Sequence, residues 1–255
     1  MQELYKSGRY FFAFAIIAFG LIQLNVQDFM SGFLPVSKDL PARTFFLYFI
    51  STVFIAGGVA MCIKNTNRRA ALLIGIVLLI LFFYPHFASL VSDIHNPGPW
   101  TTSAEDLALC GGAFIISGRT DDSPISPGNP GLYRTGKIFF ALSLLVFSVQ
   151  HFMYADFIAT LIPSWIPLKL FWAYFVGVAF AAASISILTN IKTRLAGILL
   201  GFMFLFWVIF LHLPRVAADT HKEAEKTSMF IAFAFCGIFF TLASQYPRKD
   251  LVSGK

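Results

Sequence analysis

Four histidines of this chain fall in two matched settings. His86 lies in Tyr-Pro-His-Phe and His212 in Leu-His-Leu-Pro-Arg; each is followed by an aspartate, Asp93 or Asp219, and then by a second histidine, His95 or His221. Imidazole is a ready proton carrier near neutral pH and the commonest metal ligand. An ionisable group within an apolar run is a functional suspect. Three readings stay open for these side chains: capping of freed helix carbonyls, a polar ligand or quinone pocket, and a metal site. The metal reading is the weakest. His-x6-Asp-x-His is no established metal signature, and residues two apart do not share a helix face. No metal is therefore expected, with His86, His95, His212 and His221 as its only weak candidates.

A second polar group closes the first apolar run of each half. It comprises Gln23, Asn25, Gln27 and Asp28, then Gln150, His151, Tyr154 and Asp156. A stretch bearing Pro and aromatic residues follows each, at 29–41 and 157–167. Ile162-Pro163-Ser164-Trp165-Ile166-Pro167 is too short to span a membrane. It suits an interfacial segment with Trp165 at headgroup level, or a loop lying on the bilayer. Arg215 has two readings: a bidentate fork for an anionic or carbonyl-bearing ligand, or an ion pair with Asp219 one turn away. Thr102-Ser103-Ala104-Glu105 reads as a capping box opening a helix, which leaves Asp106 either at the solvated helix start or facing the bundle interior.

The elements that position these residues are apolar runs of about 20 residues, the length of a spanning helix. They lie at 10–29, 44–63, 70–91 and 101–118, then at 138–157, 170–189, 195–213 and 227–244. The chain is 57% hydrophobic and only 13% charged, against roughly 25% charged in a soluble domain. The formal charge of +6 is concentrated in no stretch, so nucleic acid is not an expected partner. Cys62, Cys110 and Cys236 form no Cys-x-x-Cys pair, which argues against a disulfide framework or a thioredoxin-like centre. The first run is followed by no small-residue cleavage site and reads as a retained helix.

Lys and Arg mark the sides. Lys6, Arg9, Lys64, Arg68, Arg69, Arg119, Arg134, Lys137, Lys192, Arg194, Arg248, Lys249 and Lys255 fall on one side of the spans. By the positive-inside bias that side is cytoplasmic, and so are both termini. The fold class expected is an all-α membrane protein of about eight transmembrane helices. Its parts are a first repeat over 1–118, a cytoplasmic linker over 119–132, a second repeat over 133–247 and a tail over 248–255.

The repeat is carried by polar identities in register. Tyr5, Gly8, Asp28 and Pro35 recur as Tyr133, Gly136, Asp156 and Pro163. After a two-residue slip, Arg68, His86, Asp93, Cys110 and Gly111 recur as Arg194, His212, Asp219, Cys236 and Gly237. Units with an even number of helices insert with one orientation, so a pseudo-two-fold axis along the membrane normal is expected. His151, Trp165, Trp172, His212 and Arg215 then fall at one depth. They are expected to border a single cavity open to the extracytoplasmic face, because buried polar groups must find partners and aromatic walls with a few polar groups suit a small molecule. Gln23, Asp28, His86, Asp93, Asp156 and Asp219 are secondary pocket candidates.

Gln150-His151-Phe152-Met153-Tyr154-Ala155-Asp156-Phe157, Pro163-Ser164-Trp165-Ile166-Pro167, Phe171-Trp172-Ala173-Tyr174 and Leu211-His212-Leu213-Pro214-Arg215 resemble the DoxX-like family of bacterial membrane proteins. Trp100-Thr101-Thr102 with Cys110-Gly111-Gly112 is similar to that family's last-helix opening. The usual unit has four helices, so the chain resembles a fused double unit. In its first half Gln23 stands where His151 would be expected, and Asp39 interrupts the Pro-Ser-Trp-Ile-Pro stretch. The resemblance implies a multi-pass protein of the bacterial cytoplasmic (inner) membrane, but no single activity. Three functions stay open. One is a quinone-associated subunit of a redox complex, which would need a soluble or membrane partner as electron source, since the chain has no haem-attachment or dinucleotide motif. The others are a chaperone, scaffold or lipid-binding protein, and a transporter.

Overall fold

Each long apolar run becomes a helix, because backbone N–H and C=O groups in hydrocarbon must bond within their own segment. The computed structural model describes residues 7–119 and 128–245. These are helical, with no strand among the described residues: α1 (Gly8–Val26), α2 (Arg43–Cys62), α3 (Asn67–Ser92), α4 (Pro97–Gly118), α5 (Pro130–Met153), α6 (Ala155–Leu161), α7 (Lys169–Thr189), α8 (Thr193–Ala218) and α9 (Glu223–Gln245). All but α4 and the short α6 are long and apolar enough to cross a membrane, which makes seven candidate spans. The protein is an all-α membrane protein.

Helix α4 is the exception to the eight apolar runs expected, and its surroundings explain why. It is 22 residues long, but Glu105 and Asp106 lie in its first half. From Ala108 to Gly118 every residue is buried, so its surface meets protein and not lipid. The helix also starts earlier than expected. Asn96 caps it, its side chain accepting from the Gly98 amide at 2.9 Å, and Pro97 occupies the first turn, where a missing N–H costs nothing. Glu105 is thus two turns inside the helix, and the capping-box reading is overturned. Asp106 faces the interior.

Helices α3 and α8 share a break. Each runs as 15 α-helical residues (Asn67–Leu81, Thr193–Trp207), a five-residue π turn (Phe82–His86, Val208–His212) and six further α residues (Phe87–Ser92, Leu213–Ala218). The amide of Phe87 donates to the Phe82 carbonyl and that of Leu213 to Val208, five residues back in both cases. Such wide turns accommodate a residue that a regular ladder would not and recur at functional sites. The sequence places His86 and His212 at helix ends. The structure places them at the last position of these π turns, with the helix continuing beyond.

The helices pack as a ring: α1 on α2, α2 on α3, α3 on α4, α4 on α5, α5 on α7, α7 on α8, α8 on α9, and α9 back on α1, with α4 and α9 also touching across the middle. Two crossings close the ring, and both are glycine pairs. A Cβ on Gly237 would lie 2.5 Å from the Gly8 carbonyl oxygen, and one on Gly136 would lie 2.5 Å from that of Gly111. Only glycine allows backbones this close. Asn129 caps α5, accepting from the Leu132 amide at 3.0 Å. The linker expected over 119–132 therefore ends before Pro130, and its remainder lies outside the described residues except at Arg119 and 128–129. The tail expected over 248–255 lies outside them too.

Candidate ligand-binding site

A cavity of about 570 Å³ opens between α5, α7, α8 and α9, at the end of the bundle where α5 finishes and α4 and α9 begin. Its size falls in the range of small-molecule sites, about 300–1,000 Å³. The walls are aromatic: Phe147 from α5, Phe180 from α7, Phe204 and Trp207 from α8, and Phe235 from α9. These rings hold one another. Phe204 lies 5.0 Å from Trp207 and 5.3 Å from Phe235, and Phe180 lies 5.9 Å from Phe204. Phe157, Ile158 and Leu161 of α6 cover one side. Phe157 and Leu161 are also exposed at the outer surface, so that side of the cavity is apolar toward the surroundings.

Polar groups enter from three helices. His151, in the last turn of α5, directs Nδ1 to the Phe147 carbonyl oxygen at 2.8 Å and sets its ring edge-on to Phe180 at 5.1 Å. Its Cβ packs against Gly177, where an added methyl would sit 3.0 Å away. His212 lines the cavity from the π turn of α8, and its Nδ1 is buried with no hydrogen-bond partner among the described residues. Glu105 crosses from α4 to the same cavity, and no described residue bonds its carboxylate. Gln150 fixes the approach of α4, its amide donating to the Pro97 carbonyl at 3.1 Å and to Thr101 Oγ1 at 3.0 Å.

Of the five residues expected to border one cavity, His151 and His212 do so. Trp165, Trp172 and Arg215 do not line it. Trp165 is 68% exposed and Trp172 is 41% exposed, its indole donating to the Pro167 carbonyl at 3.1 Å. Both tryptophans share the cavity's depth but sit on the outer faces of their segments. Arg215 donates to the Leu161 carbonyl and faces Glu225 at 3.9 Å, not Asp219. Asp219 instead faces Lys222 at 3.9 Å and accepts from the His221 amide at 3.0 Å. Asp93 accepts from Asn96 at 3.0 Å, and Asp156, His95 and His221 are exposed. Among the described residues no group of three His, Cys, Asp or Glu side chains is placed to hold a metal ion.

The first half is filled where the second is open. Phe29, Met30, Phe33 and Leu34 insert into the bundle and are almost wholly buried. Phe33 lies 5.1 Å from Phe19 and 6.1 Å from His86, ring to ring. In register these residues correspond to Phe157, Ile158, Leu161 and Ile162, three of which line the open cavity. Around the plug, Gln23 Nε2, both nitrogens of His86 and both carboxylate oxygens of Asp106 are buried without partners among the described residues. Gln23 holds α2 through its Oε1, which accepts from Ser51 at 2.9 Å. Asp28 latches the segment from outside through its ion pair with Arg43, and it accepts from the Phe29 amide at 2.7 Å.

Glu105 and Trp207 were missing from the residues expected at the site. The signal for Glu105 was an acidic pair in a helix otherwise fit to cross a membrane. Trp207 carried no signal beyond lying on the same helix as His212, five residues before it. Comparison with family models, with curated proteins and with solved structures returns no match for this chain.

Proposed function

We propose that this is an inner-membrane protein of the DoxX-like kind, two fused copies of one four-helix unit, that holds a quinone-class molecule in the cavity of its second half. One observation carries the reading: a cavity of about 570 Å³ with aromatic walls, in which Glu105, His151 and His212 are grouped. A flat ring can lie against the aromatic wall that Phe180, Phe204 and Trp207 form, and His212 can supply a hydrogen bond to one of its oxygens. The apolar side at Phe157 and Leu161 lets an apolar tail pass toward lipid, as a membrane-dissolved ligand requires. When bound, a quinone supplies two-electron, two-proton redox chemistry; the electrons come from a partner subunit, soluble or membrane-bound.

The repeat is supported by the polar register, by the equal segment lengths of α3 and α8, and by the paired glycine crossings. The basic bias favours a cytoplasmic side for the termini, and with them for the exposed connection at Asn65. The cavity then opens on the extracytoplasmic side. A cysteine replacing Asn65 should be shielded from an impermeant reagent added to intact cells; ready labelling there overturns this orientation.

Trp207 reports on the cavity directly. In protein whose Trp100, Trp165 and Trp172 are replaced by Phe, decyl-benzoquinone should quench the remaining emission saturably, and His212→Ala should raise the half-saturating concentration. Unsaturable quenching, equal in both proteins, is the signature of quinone merely dissolved in lipid and overturns the reading.

A further inference from the structure

Resting on that reading of the cavity, we propose that the site selects the reduced, hydroxyl-bearing form of its ligand, an aromatic diol, over the carbonyl-bearing quinone. Donors and acceptors decide it. A carbonyl oxygen only accepts, so the 2.8 Å contact of His151 with the Phe147 carbonyl puts the ring hydrogen on Nδ1. In the neutral ring Nε2 then carries a bare lone pair at the edge turned away from its own helix. Glu105 adds a second acceptor, since a carboxyl group keeps an accepting oxygen in either protonation state, and no described residue bonds it.

The nearby N–H donors are turned elsewhere. The Gln150 amide is engaged with Pro97 and Thr101. The Arg215 guanidinium is held by the Leu161 carbonyl beyond the cavity wall. The remaining polar lining, His212, Tyr154 and Ser228, can serve as donor or acceptor and prefers neither form of the ligand. A quinone brings only accepting oxygens, leaving His151 Nε2 facing a lone pair. A diol brings two O–H donors, one for the bare Nε2 of His151, the fixed acceptor, and one for the Glu105 carboxyl. A missing partner for a buried acceptor is what separates close analogues at polar sites.

The test uses the whole chain in lipid nanodiscs under argon. Binding of decyl-ubiquinol, of decyl-ubiquinone and of the quinol's di-O-methyl ether is measured by equilibrium dialysis. The quinol should bind at least about tenfold more tightly than the quinone, the scale of one well-formed hydrogen bond, and the ether should show no preference over the quinone. His151→Gln supplies an amide donor, so it should narrow the gap by tightening quinone binding. Quinone binding as tight as quinol binding overturns the selectivity and leaves the quinone-class reading standing. Saturable binding of none of the three overturns both. Decylamine binding more tightly than the quinol overturns the diol in favour of a cationic ligand paired with Glu105.

Discussion

The ring of Phe33 stands 6.1 Å from the imidazole of His86, and that contact is what separates the two halves of the molecule. At the same register position the second half carries Leu161, which lines an open cavity beside His212. The segment carrying Phe33 folds into the bundle and seals one half, while its counterpart carrying Leu161 stays in the partly exposed helix α6 and leaves the other open.

Phe33→Ala should therefore create a cavity next to His86. Removing a fully buried Phe costs about 3–5 kcal/mol, so a loss of about 3 kcal/mol in unfolding free energy is expected in detergent. Benzene added to the variant should recover part of it. The reciprocal change, Leu161→Phe, should weaken ligand binding in the second half with little loss of stability. A stable Phe33→Ala protein, indifferent to benzene, would show that the plug is not packed against His86.

The glycine crossings should be equally intolerant. Gly111→Ala and Gly237→Ala each set a methyl against backbone at 2.8 Å or closer, and overpacking of this kind costs about 1–3 kcal/mol. Gly32→Ala meets only Ala224 Cβ at 3.9 Å and should be neutral. Thermal unfolding of the three variants checks the order; a tolerated Gly237→Ala would contradict the close crossing of α1 and α9.

How far the sequence carried this picture depends on the kind of feature. The apolar runs became helices with little displacement, because hydrocarbon leaves the backbone no alternative. The start of α4 was misplaced because Thr102 and Glu105 imitate a cap, while the true cap, Asn96-Pro97, sits in a stretch too polar to read as membrane helix. The π turns were hidden as well: Pro85 precedes His86 by one residue and Pro214 follows His212 by two, yet the two turns coincide in register. Depth was legible and direction was not. Trp165, Trp172 and Arg215 lie at the level of His151 and His212, but Trp165 sits outside any helix and the rotation of their helices takes Trp172 and Arg215 off the cavity; such directions are set by packing partners that one-dimensional spacing does not encode. The asymmetry between halves was foreshadowed by Gln23 standing in place of His151. The plug itself depends on how four apolar side chains fold back, which register alone does not specify.

Arg215 lies outside the cavity, so Arg215→Lys should leave ligand affinity within about twofold. Its half-exposed pairing with Glu225 limits the stability loss to about 1 kcal/mol. Ligand titration and thermal unfolding of one variant test both statements. A tenfold loss of affinity would put the guanidinium in contact with the ligand.

The latch between Asp28 and Arg43 should be acid-sensitive. Partial burial pushes the Asp28 carboxyl up, but the hydrogen bond from Arg43, the Phe29 amide and the nearby positive charges of Arg43 and Lys38 together hold it below its ordinary value of 3.8. A carboxyl lowered in the folded state contributes stability above its unfolded pKa and loses it as pH falls through the folded value. Wild-type protein should thus lose more stability than Asp28→Asn on acidification below about pH 4. Parallel unfolding curves for the two proteins down that range would contradict the latch.

The cavity of the second half as the ligand site is tested most directly by photo-crosslinking. A diazirine placed on the alkyl tail of a quinol, close to its ring, is irradiated with the protein in nanodiscs, and the labelled peptides are read by mass spectrometry. The expected adducts fall on the cavity-lining residues within 147–161 and 228–235 and on Phe204, Trp207 and His212, and excess unlabelled quinol removes them. Adducts on the outward-facing Phe206 and Phe210, undiminished by competitor, or adducts on the first half around Phe33, would contradict the assignment.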